Sequence, residues 1–426
     1  MVRLEENKFY TAGKKIETLP LPAKVYIPTL QHLGKPCDKL EVKTGDPVLK
    51  CQVIATSEAK VFSPIHSSVS GKVSAITNWP HPVVGKSKAI IIESDGQDKQ
   101  FVSGHRSEDE IKKLSPQQIR EIVFKAGIVG MGGASFPTHI KLNPPKQITS
   151  LIVNIAECEP YLTGDSQLAI EKSKEIVLGI ELVARCLAVK DVIIAIEDNK
   201  PEAIQAVQEA CAKAGYAVKI LASQYPQGGE KQLVKSVLGK EIPQGKLPFD
   251  VGANVQNVST IYAIFEAIYK NKPLYERVVT VTGSILAQPK NILCRIGTPI
   301  KELINFCGPL KEEPAKIIIG GPMMGIAQFT DMVPVIKSTT GVIVLSKSES
   351  PVKDEDSCIR CGSCVRACSM GLLPCLMNQA AEKGLWQQAK DYGVLDCMEC
   401  GLCSYSCPSN RKIVQSIRRA KLELNK

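Results

Sequence analysis

The spacing of apolar residues along the chain changes character near residue 107. Before that point, proline and glycine separate short runs rich in β-branched residues, such as 24–28 and 89–93, a pattern that predicts a small all-β module. After it, apolar residues recur with helical periodicity at 108–126, 166–187, 201–214 and 255–269. Strand-like apolar runs separate these helices at 151–155, 191–196 and 217–221. The alternation predicts an α/β domain with a mostly parallel sheet.

Two further units follow the α/β domain. Strand-like runs at 277–283 and 316–325 flank a predicted helix at 299–307, which suggests a β-grasp module. A polar linker at 346–356 then leads to a cysteine-rich segment. The sequence therefore predicts a multidomain protein of mixed α/β and α+β class. Its units would be an N-terminal β module, an α/β domain, a β-grasp module and a helical cysteine-rich domain at residues 1–106, 107–272, 273–345 and 346–426.

Two stretches of the N-terminal module, 42–48 and 63–73, resemble the flattened barrel of biotinyl and lipoyl carrier domains. The resemblance implies a barrel-sandwich fold. The hairpin lysine that carries the prosthetic group in those domains is not evident in this sequence. His66 lies in the second stretch, and we interpret it as a packed polar residue rather than a catalyst.

Composition indicates an intracellular protein that does not span a membrane. The N-terminus lacks the apolar core of a signal peptide, and eight of the 16 cysteines cluster at metal-binding spacing. The apolar stretch 176–189 contains Glu181 and Arg185 and has the period of a buried amphipathic helix. The net charge of +10 is mild for 426 residues, and we expect no nucleic-acid partner. The basic C-terminal tail either faces an acidic partner or anionic lipid, or forms a solvated helix face.

Two cysteine runs near the C-terminus share the spacing C-x2-C-x2-C-x3-C. In iron-sulfur proteins with two clusters, three thiolates of such a run bind one 4Fe-4S cluster and the fourth binds the cluster of the other run. We therefore predict two clusters, one held by Cys358, Cys361, Cys364 and Cys407 and the other by Cys397, Cys400, Cys403 and Cys368. Zinc sites need only four thiolates and usually show two C-x2-C pairs, so zinc and disulfides are the weaker alternatives.

A glycine-rich loop at 127–141 precedes the first strand of the α/β domain. Backbone N–H groups can approach a phosphate where residues lack Cβ, as at Gly130, Gly132 and Gly133, and Lys141 adds a positive charge. The loop does not follow the G-x-G-x-x-G pattern, because position 135 is serine and because the loop precedes its strand. A nucleotide cradle and a tight structural turn both remain open at this point.

Three more polar segments fall at the ends of predicted elements. Segment 154–160 ends the first strand of the α/β domain with Glu157 and Glu159, and the other two segments are 225–231 and 254–260. Ligands bind at the carboxyl ends of strands in open α/β sheets. Four segments that converge in this way predict a nucleotide site.

In order and content, these motifs resemble the RnfC component of the Rnf electron-transport complex. The resemblance covers essentially the whole chain and rests on the doubled cysteine run and on GGASFPTHIK, NIAECEP, YPQGGEK, VQNVST and GGPMMG. The α/β part is also similar to the flavin-bearing, NADH-oxidising subunit of respiratory complex I. The resemblance implies non-covalent FMN, NAD(H) as substrate, two 4Fe-4S clusters and a β-grasp module of the SLBB type.

The resemblance also implies roles for individual residues. The FMN phosphate would lie against the glycine loop and Lys141. The ribityl chain and flavin ring would be surrounded by Asn154, Gln256, Asn257 and Thr260. Glu157 and Glu159 would lie near the flavin and nicotinamide as catalytic residues. The nucleotide would be bound further by Phe136 and Tyr225, which would stack on nicotinamide or adenine, by Gly228, and by Glu230, which would accept a nucleotide hydroxyl.

The chain departs from many relatives at several positions. Ile155 replaces a glycine and raises the question of crowding beside the flavin, and Ser369 replaces a proline that stiffens the cluster loop. Ser166-Gln167 replaces an acidic-basic pair. The remaining cysteines of interest fit no cluster spacing, and we interpret them as ordinary buried or loop residues: Cys158, Cys294, Cys307 and Cys375.

The implied function is electron exchange between NAD(H), FMN and two clusters, in the NADH-reacting subunit of a ferredoxin:NAD oxidoreductase. Its partners would be integral-membrane and ferredoxin-like subunits, and it would lie in the cytoplasm against the inner face of the membrane. Two alternatives remain open. One is a soluble paralogue that passes NADH electrons to another reductase, of the proline reductase or cobalamin reductase type. The other is a flavin-free electron-relay scaffold.

Overall fold

The N-terminal module consists of two small antiparallel sheets packed around one core. In the computed structural model, which describes residues 2–101, 104–351 and 353–424, these sheets have the orders β2-β8-β7-β4 and β3-β5-β6. The strands are β2 (Lys24–Pro28), β3 (Lys39–Leu40), β4 (Pro47–Val48), β5 (Val53–Thr56), β6 (Ile65–His66), β7 (Gly71–His81) and β8 (Gly85–Ser94). Val25 and Ile27 alternate with more exposed neighbours along β2 and are fully buried. Period-two burial of this kind is what the sequence predicted.

The first strand of the chain, β1 (Ile16–Thr18), lies outside the N-terminal module. It pairs in parallel with β14 (Lys290–Arg295) at the edge of the β-grasp sheet. This strand thus adds to the β-grasp sheet although it lies within the predicted N-terminal unit 1–106. A three-residue strand carries too little periodicity to reveal its partner.

The α/β domain is built on a parallel sheet of four strands in the order β11-β10-β9-β12. Its strands are β9 (Ser150–Ile155), β10 (Asp191–Glu197), β11 (Ala217–Leu221) and β12 (Ala253–Asn257). Its helices are α1 (Glu108–Lys113), α2 (Pro116–Lys125), α3 (Thr138–Lys141), α4 (Gly164–Glu171), α5 (Ser173–Leu187), α6 (Pro201–Cys211), α7 (Glu230–Leu238) and α8 (Val258–Lys270). Side chains of β9 alternate between a core formed with α2, α5 and α8 and a core formed with α7. Helices therefore cover both faces, which explains the continuous apolar run of β9.

Three helix boundaries differ from the sequence prediction. The predicted helix at 108–126 is two helices, because Ser115 caps α2 and Pro116 occupies its first turn. The predicted helix at 166–187 is broken at Lys172 into α4 and α5. The predicted helix at 255–269 begins only at Val258, because the preceding residues form the edge strand β12.

The β-grasp module contains a mixed sheet of six strands in the order β1-β14-β13-β17-β15-β16. Its further elements are β13 (Glu276–Thr282), α9 (Ile300–Phe306), β15 (Lys316–Ile319), β16 (Ile326–Ala327) and β17 (Gly341–Leu345). The strand predicted at 316–325 ends at Ile319, because Gly320 takes a left-handed conformation with φ +95° and opens a turn.

The C-terminal domain is helical. It comprises α10 (Ser363–Ala367), α11 (Pro374–Glu382), α12 (Trp386–Asp391), α13 (Leu402–Tyr405) and α14 (Ile413–Leu424). Met377 of α11 and Ile417 of α14 are fully buried in its core. Within the described ranges, every helix of the chain is too short or too polar to cross a bilayer.

Lys337 joins three of these units at one point. Its buried ammonium group donates hydrogen bonds to the carbonyl of Pro64 at 2.8 Å and to the carbonyl of Gly127 at 2.6 Å. His66 is buried beside it, as expected for a packed residue, and burial followed by the charge of Lys337 lowers the pKa of His66 to about 3.

Candidate functional site

The glycine loop is a tight turn whose base is fixed by backbone hydrogen bonds. The Gly130 amide donates to the Phe136 carbonyl at 2.8 Å, and the Ser135 amide donates to the Gly130 carbonyl at 3.2 Å. Residues 132–134 at its tip are exposed, and Phe136 at its base is half-buried. The loop therefore combines a rigid base with an exposed glycine-rich tip.

The same loop packs against the start of α8. The Met131 amide donates to Thr260 Oγ1 at 2.9 Å, and a Cβ on Gly132 would lie 3.2 Å from Asn257 Cβ. Gly133 has φ +123°, and a Cβ added there would meet no atom within 4 Å. The tip has open space on the side of Gly133, and two predicted flavin contacts, Asn257 and Thr260, lie directly beneath the loop.

Asp165 connects this region to the end of β9, although the sequence analysis missed it. Asn257 Nδ2 donates to Asp165 Oδ2 at 2.6 Å, and Ser259 Oγ donates to Oδ1 at 2.5 Å. Burial, and then the nearby Glu157 carboxylate, raise the pKa of Asp165 to about 6. The available sequence signal was an acidic residue at the start of a helix, directly after the NIAECEP segment.

Two of the predicted segments meet at the carboxyl end of β9. Asn154 Nδ2 donates to the Gly228 carbonyl at 3.0 Å, and the Gly228 amide lies 3.2 Å from Cys158 Sγ. Burial raises the pKa of the Cys158 thiol to about 12. Cys158 thus packs between the two segments. The sequence analysis interpreted it as an ordinary buried or loop residue and not as a cluster ligand.

The two predicted catalytic carboxylates both have protein partners. Glu157 accepts hydrogen bonds from the amides of Asp165 at 2.7 Å and Ser166 at 3.2 Å, and so caps the start of α4. Glu159 accepts from the amides of Met323 at 3.1 Å and Met324 at 2.9 Å. Burial raises the pKa of Glu159 to about 7. Their catalytic roles stay predictions, and their contacts give each carboxylate a structural role as well.

Lys141 and Glu230 form an ion pair at the start of α7. Nearby, Asn254 Nδ2 donates to the Lys141 carbonyl at 2.9 Å, and the buried Gln256 donates to Asn254 Oδ1 at 2.8 Å. Lys141, predicted to contact the FMN phosphate, and Glu230, predicted to accept a nucleotide hydroxyl, therefore bind each other in this conformation.

Tyr225 corrects the sequence interpretation. Only 2% of the residue is exposed, and its hydroxyl donates to the Cys400 carbonyl at 2.7 Å. Its ring has almost no free surface, so this conformation does not permit the predicted stacking on nicotinamide or adenine. The half-buried Phe136 keeps that predicted role.

One set of predicted cluster ligands lines a small cavity: Cys368, Cys397, Cys400 and Cys403. The lining also includes Met370 and Met398. The Leu372 amide lies 3.4 Å from Cys368 Sγ, and the Glu399 amide lies 3.3 Å from Cys397 Sγ. Such N–H···S contacts stabilise bound thiolates. These cysteines come from both runs in the crossed combination that the spacing predicts.

The second set is more open. Cys358 and Cys361 are exposed, while Cys364 is buried against Cys375 and near Cys407, and burial raises its pKa to about 11. Across the described ranges, no three His, Cys, Asp or Glu side chains are arranged around a single metal ion.

Comparison with known families matches four consecutive parts of the chain. The matches are the RnfC barrel sandwich hybrid domain at 2–97, the Nuo51 FMN-binding domain at 123–266, the SLBB domain at 278–327 and the 4Fe-4S dicluster domain at 350–408. The RnfC protein of the proton-translocating ferredoxin:NAD(+) oxidoreductase complex of Clostridium ljungdahlii is 48% identical over 99% of this chain and 93% of its own. The chain belongs to the RnfC family.

Two further relatives support membership of the RnfC family. The corresponding protein of the Na(+)-translocating ferredoxin:NAD(+) oxidoreductase complex of Acetobacterium woodii is 40% identical over 95% of this chain and 91% of its own. That of the ion-translocating oxidoreductase complex of Rhodobacter capsulatus is 42% identical over 99% of this chain and 82% of its own. An NAD+-reducing [NiFe]-hydrogenase in the air-oxidized state shares the fold, with a TM-score of 0.50 and 19% identity over 73% of this chain and 61% of that chain.

Family membership confirms the predicted resemblance, the fold class and the cofactors. This RnfC chain is an oxidoreductase subunit with an FMN-binding domain and a 4Fe-4S dicluster domain. The soluble paralogue and the flavin-free scaffold are not favoured, because the FMN-binding domain is matched and the full-length relatives are RnfC proteins of such complexes. The assignments of individual ligand residues stay predictions.

Proposed function

We propose that this RnfC chain is the NAD(H)-reacting subunit of a ferredoxin:NAD(+) oxidoreductase complex. The observation that carries the proposal is the contact between the nucleotide-binding domain and the cysteine-lined cavity. Tyr225, from the YPQGGEK segment, hydrogen-bonds to the Cys400 carbonyl, and a Cβ on Gly229 would lie 2.6 Å from Met398 Cε. The cavity thus adjoins the loop that borders the proposed nucleotide site.

The glycine loop would bind the FMN phosphate. Its exposed tip offers backbone N–H groups next to open space at Gly133, and Lys141 would supply the charge once it separates from Glu230. Asn257 and Thr260, fixed through Asp165 and Met131, would contact the rest of the cofactor. When bound, FMN exchanges hydride with NAD(H) and exchanges single electrons with iron-sulfur clusters.

The substrate would approach the same opening. Phe136 would stack on the nicotinamide, and Glu230, freed from Lys141, would accept a nucleotide hydroxyl. Asn154 and Gly228 hold their two segments together, and both would lie beside the flavin. Glu157 and Glu159 would border the reacting rings from the side of the β9 loop.

The two sets of cysteines would hold one 4Fe-4S cluster each, in the crossed combination described above. The cysteines of the cavity set are buried or half-buried, whereas Cys358 and Cys361 face solvent next to Ile359, which is 67% exposed. Exposed ligands would bring a bound cluster close to the surface, where another electron carrier could approach it. We assign this face to the other subunits of the complex, which would be integral-membrane and ferredoxin-like proteins at the cytoplasmic face of the membrane.

Anaerobic purification with flavin, iron and sulfide analysis tests the proposal, followed by NADH titration. We expect non-covalent FMN, roughly eight iron and eight sulfide per chain, and bleaching of the flavin by NADH. Co-purification with membrane subunits from the native host would support the assigned partners. A chain with full iron content but no flavin and no reaction with NADH would overturn the proposal in favour of an electron-relay scaffold.

A further inference from the structure

The ammonium group of Lys8 lies at the centre of the loop that carries both predicted catalytic carboxylates. Its Nζ donates to the backbone carbonyls of Glu157 at 2.8 Å, Glu159 at 2.9 Å and Leu162 at 2.5 Å. An ammonium group has three N–H donors, so these carbonyls use its full capacity. Lys8 belongs to none of the sequence motifs that predicted the site.

Two features of the loop call for a restraining donor at this position, and the charge of Glu157 opposes the lowering of the Lys8 pKa by burial. Its carbonyls converge on one point, where their partial negative charges repel each other unless a positive charge lies between them. In addition, Glu157 and Tyr161 take left-handed conformations with φ +45° and +69°. Non-glycine residues persist in that region only where surrounding contacts hold them.

Lys8 is delivered by an N-terminal segment, residues 2–11, that is itself docked on the α/β domain. The amides and carbonyls of Val2 and Tyr225 form two mutual hydrogen bonds of 2.9 and 2.7 Å. The Tyr161 amide donates to the Glu6 carbonyl at 2.7 Å, and the Thr11 and Thr163 hydroxyls lie 2.7 Å apart. The segment therefore holds Lys8 in place from both sides.

The loop conformation determines where its side chains act. Glu157 reaches the Asp165 amide, and Asp165 in turn holds Asn257 beneath the glycine loop. We propose that Lys8 is a positioning residue, a tethered cation that fixes the 157–162 loop and thereby the flavin-binding geometry. This inference rests on the function proposed above.

Two substitutions and a matched control test the role of Lys8. Lys8→Met keeps most of the stem and removes the charge, whereas Lys8→Ala also leaves space for a small cation. Lys14→Met is the control, because Lys14 lies on the same part of the chain but donates to the carbonyl of Pro289 at 3.0 Å. We expect FMN affinity and NADH turnover to fall roughly tenfold or more in both Lys8 variants, with iron content unchanged and Lys14→Met like the wild type.

Chemical rescue separates positioning from general stability. Ethylammonium added to Lys8→Ala should restore FMN affinity and turnover, whereas tetramethylammonium at the same concentration should not, because it has no N–H donor. Wild-type behaviour of Lys8→Met, or a loss in Lys8→Ala that ethylammonium does not reverse, would overturn the inference. If the wild-type chain binds FMN and reacts with NADH in those cases, the proposed function stands. A wild-type chain without FMN would overturn both.

Discussion

The hydroxyl of Tyr225 donates a hydrogen bond of 2.7 Å to the backbone carbonyl of Cys400. The first residue belongs to a segment associated with nucleotide binding, and the second to the cysteine run of the C-terminal domain. Cys400 is buried and lines the cavity with three other predicted cluster ligands. One buried hydrogen bond thus connects the nucleotide-binding domain to the cluster-binding loop.

Tyr225→Phe should disturb the cluster site and leave the flavin site unchanged. The variant keeps the ring but leaves the Cys400 carbonyl without its partner, which typically costs about 1–3 kcal/mol when the group is buried. We expect a changed EPR signal from the cluster bound by Cys400, a lower melting temperature and unaltered FMN affinity. The opposite result, a raised KM for NADH with an unchanged EPR signal, would show that the hydroxyl acts on the nucleotide site instead, through the Glu159 carboxylate 3.4 Å away.

Cys368→Ala should damage the cluster of the second cysteine run, although Cys368 belongs to the first. The cavity contains Cys368 together with Cys397, Cys400 and Cys403. We expect loss of roughly half of the iron and of the spectroscopic signal of that cluster only. Cys307→Ala is the matched control, since Cys307 fits no cluster spacing and is buried in the β-grasp core, and it should keep full iron content. If Cys368→Ala impairs only the other cluster, the crossed assignment is wrong.

Substitutions of Lys141 and Glu230 should affect different ligands, FMN and NADH respectively, although the two residues form one ion pair. Lys141→Ala should weaken FMN binding by about 1.5–3 kcal/mol, because it removes a charge-assisted contact to the phosphate. Glu230→Gln should leave FMN affinity at or above the wild-type value and raise the KM for NADH. Fluorescence titration of FMN and steady-state kinetics measure the two effects.

Lys146→Ala serves as the control for this pair. The Lys146 ammonium lies 2.7 Å from Asp250 in a comparable ion pair elsewhere on the domain. Lys146→Ala should change neither the affinity for FMN nor the KM for NADH. If the Lys141 and Glu230 variants are equally silent and alter stability by at most about 1 kcal/mol, their pair is an ordinary surface salt bridge.

The contribution of His66 to stability should fall as the pH decreases below about 6.5, whereas the raised pKa values of Glu159 and Asp165 act in the opposite direction. Burial, and then the charge of Lys337, lower the pKa of His66 from 6.5 to about 3, so the unfolded chain binds a proton in this range that the folded chain does not. The folded state then loses up to about 1.4 kcal/mol per pH unit from this residue alone. Urea unfolding followed by circular dichroism between pH 7 and pH 5 measures the slope.

His66→Gln should reduce the change in unfolding free energy between pH 7 and pH 5. The control His105→Gln should not, because His105 is exposed. An unchanged slope in His66→Gln would show that other groups, such as the half-buried His139 with its pKa lowered to about 4, dominate the acid sensitivity.

The sequence by itself determined the features whose physical cause is local. The predicted cluster ligands follow from cysteine spacing, because a short loop must place three thiolates around one cluster. The parallel sheet follows from apolar strand runs that alternate with helical periodicity, and the glycine loop follows from the absence of Cβ at Gly130, Gly132 and Gly133. Local signals were weaker at the ends of helices. The periodicity suggested one helix at 108–126, but Ser115 and Pro116 divide it into two.

Only the tertiary structure decided the contacts between residues far apart in the chain. Lys8 reaches the Glu157 carbonyl across 149 residues, and Tyr225 reaches Cys400 across 175. Burial turned Tyr225 away from the ligand role that its motif suggested, and folding brought Asp165 to Asn257. The spacing of residues along the chain fixes neither burial nor long-range partners, because both depend on how whole domains pack against one another.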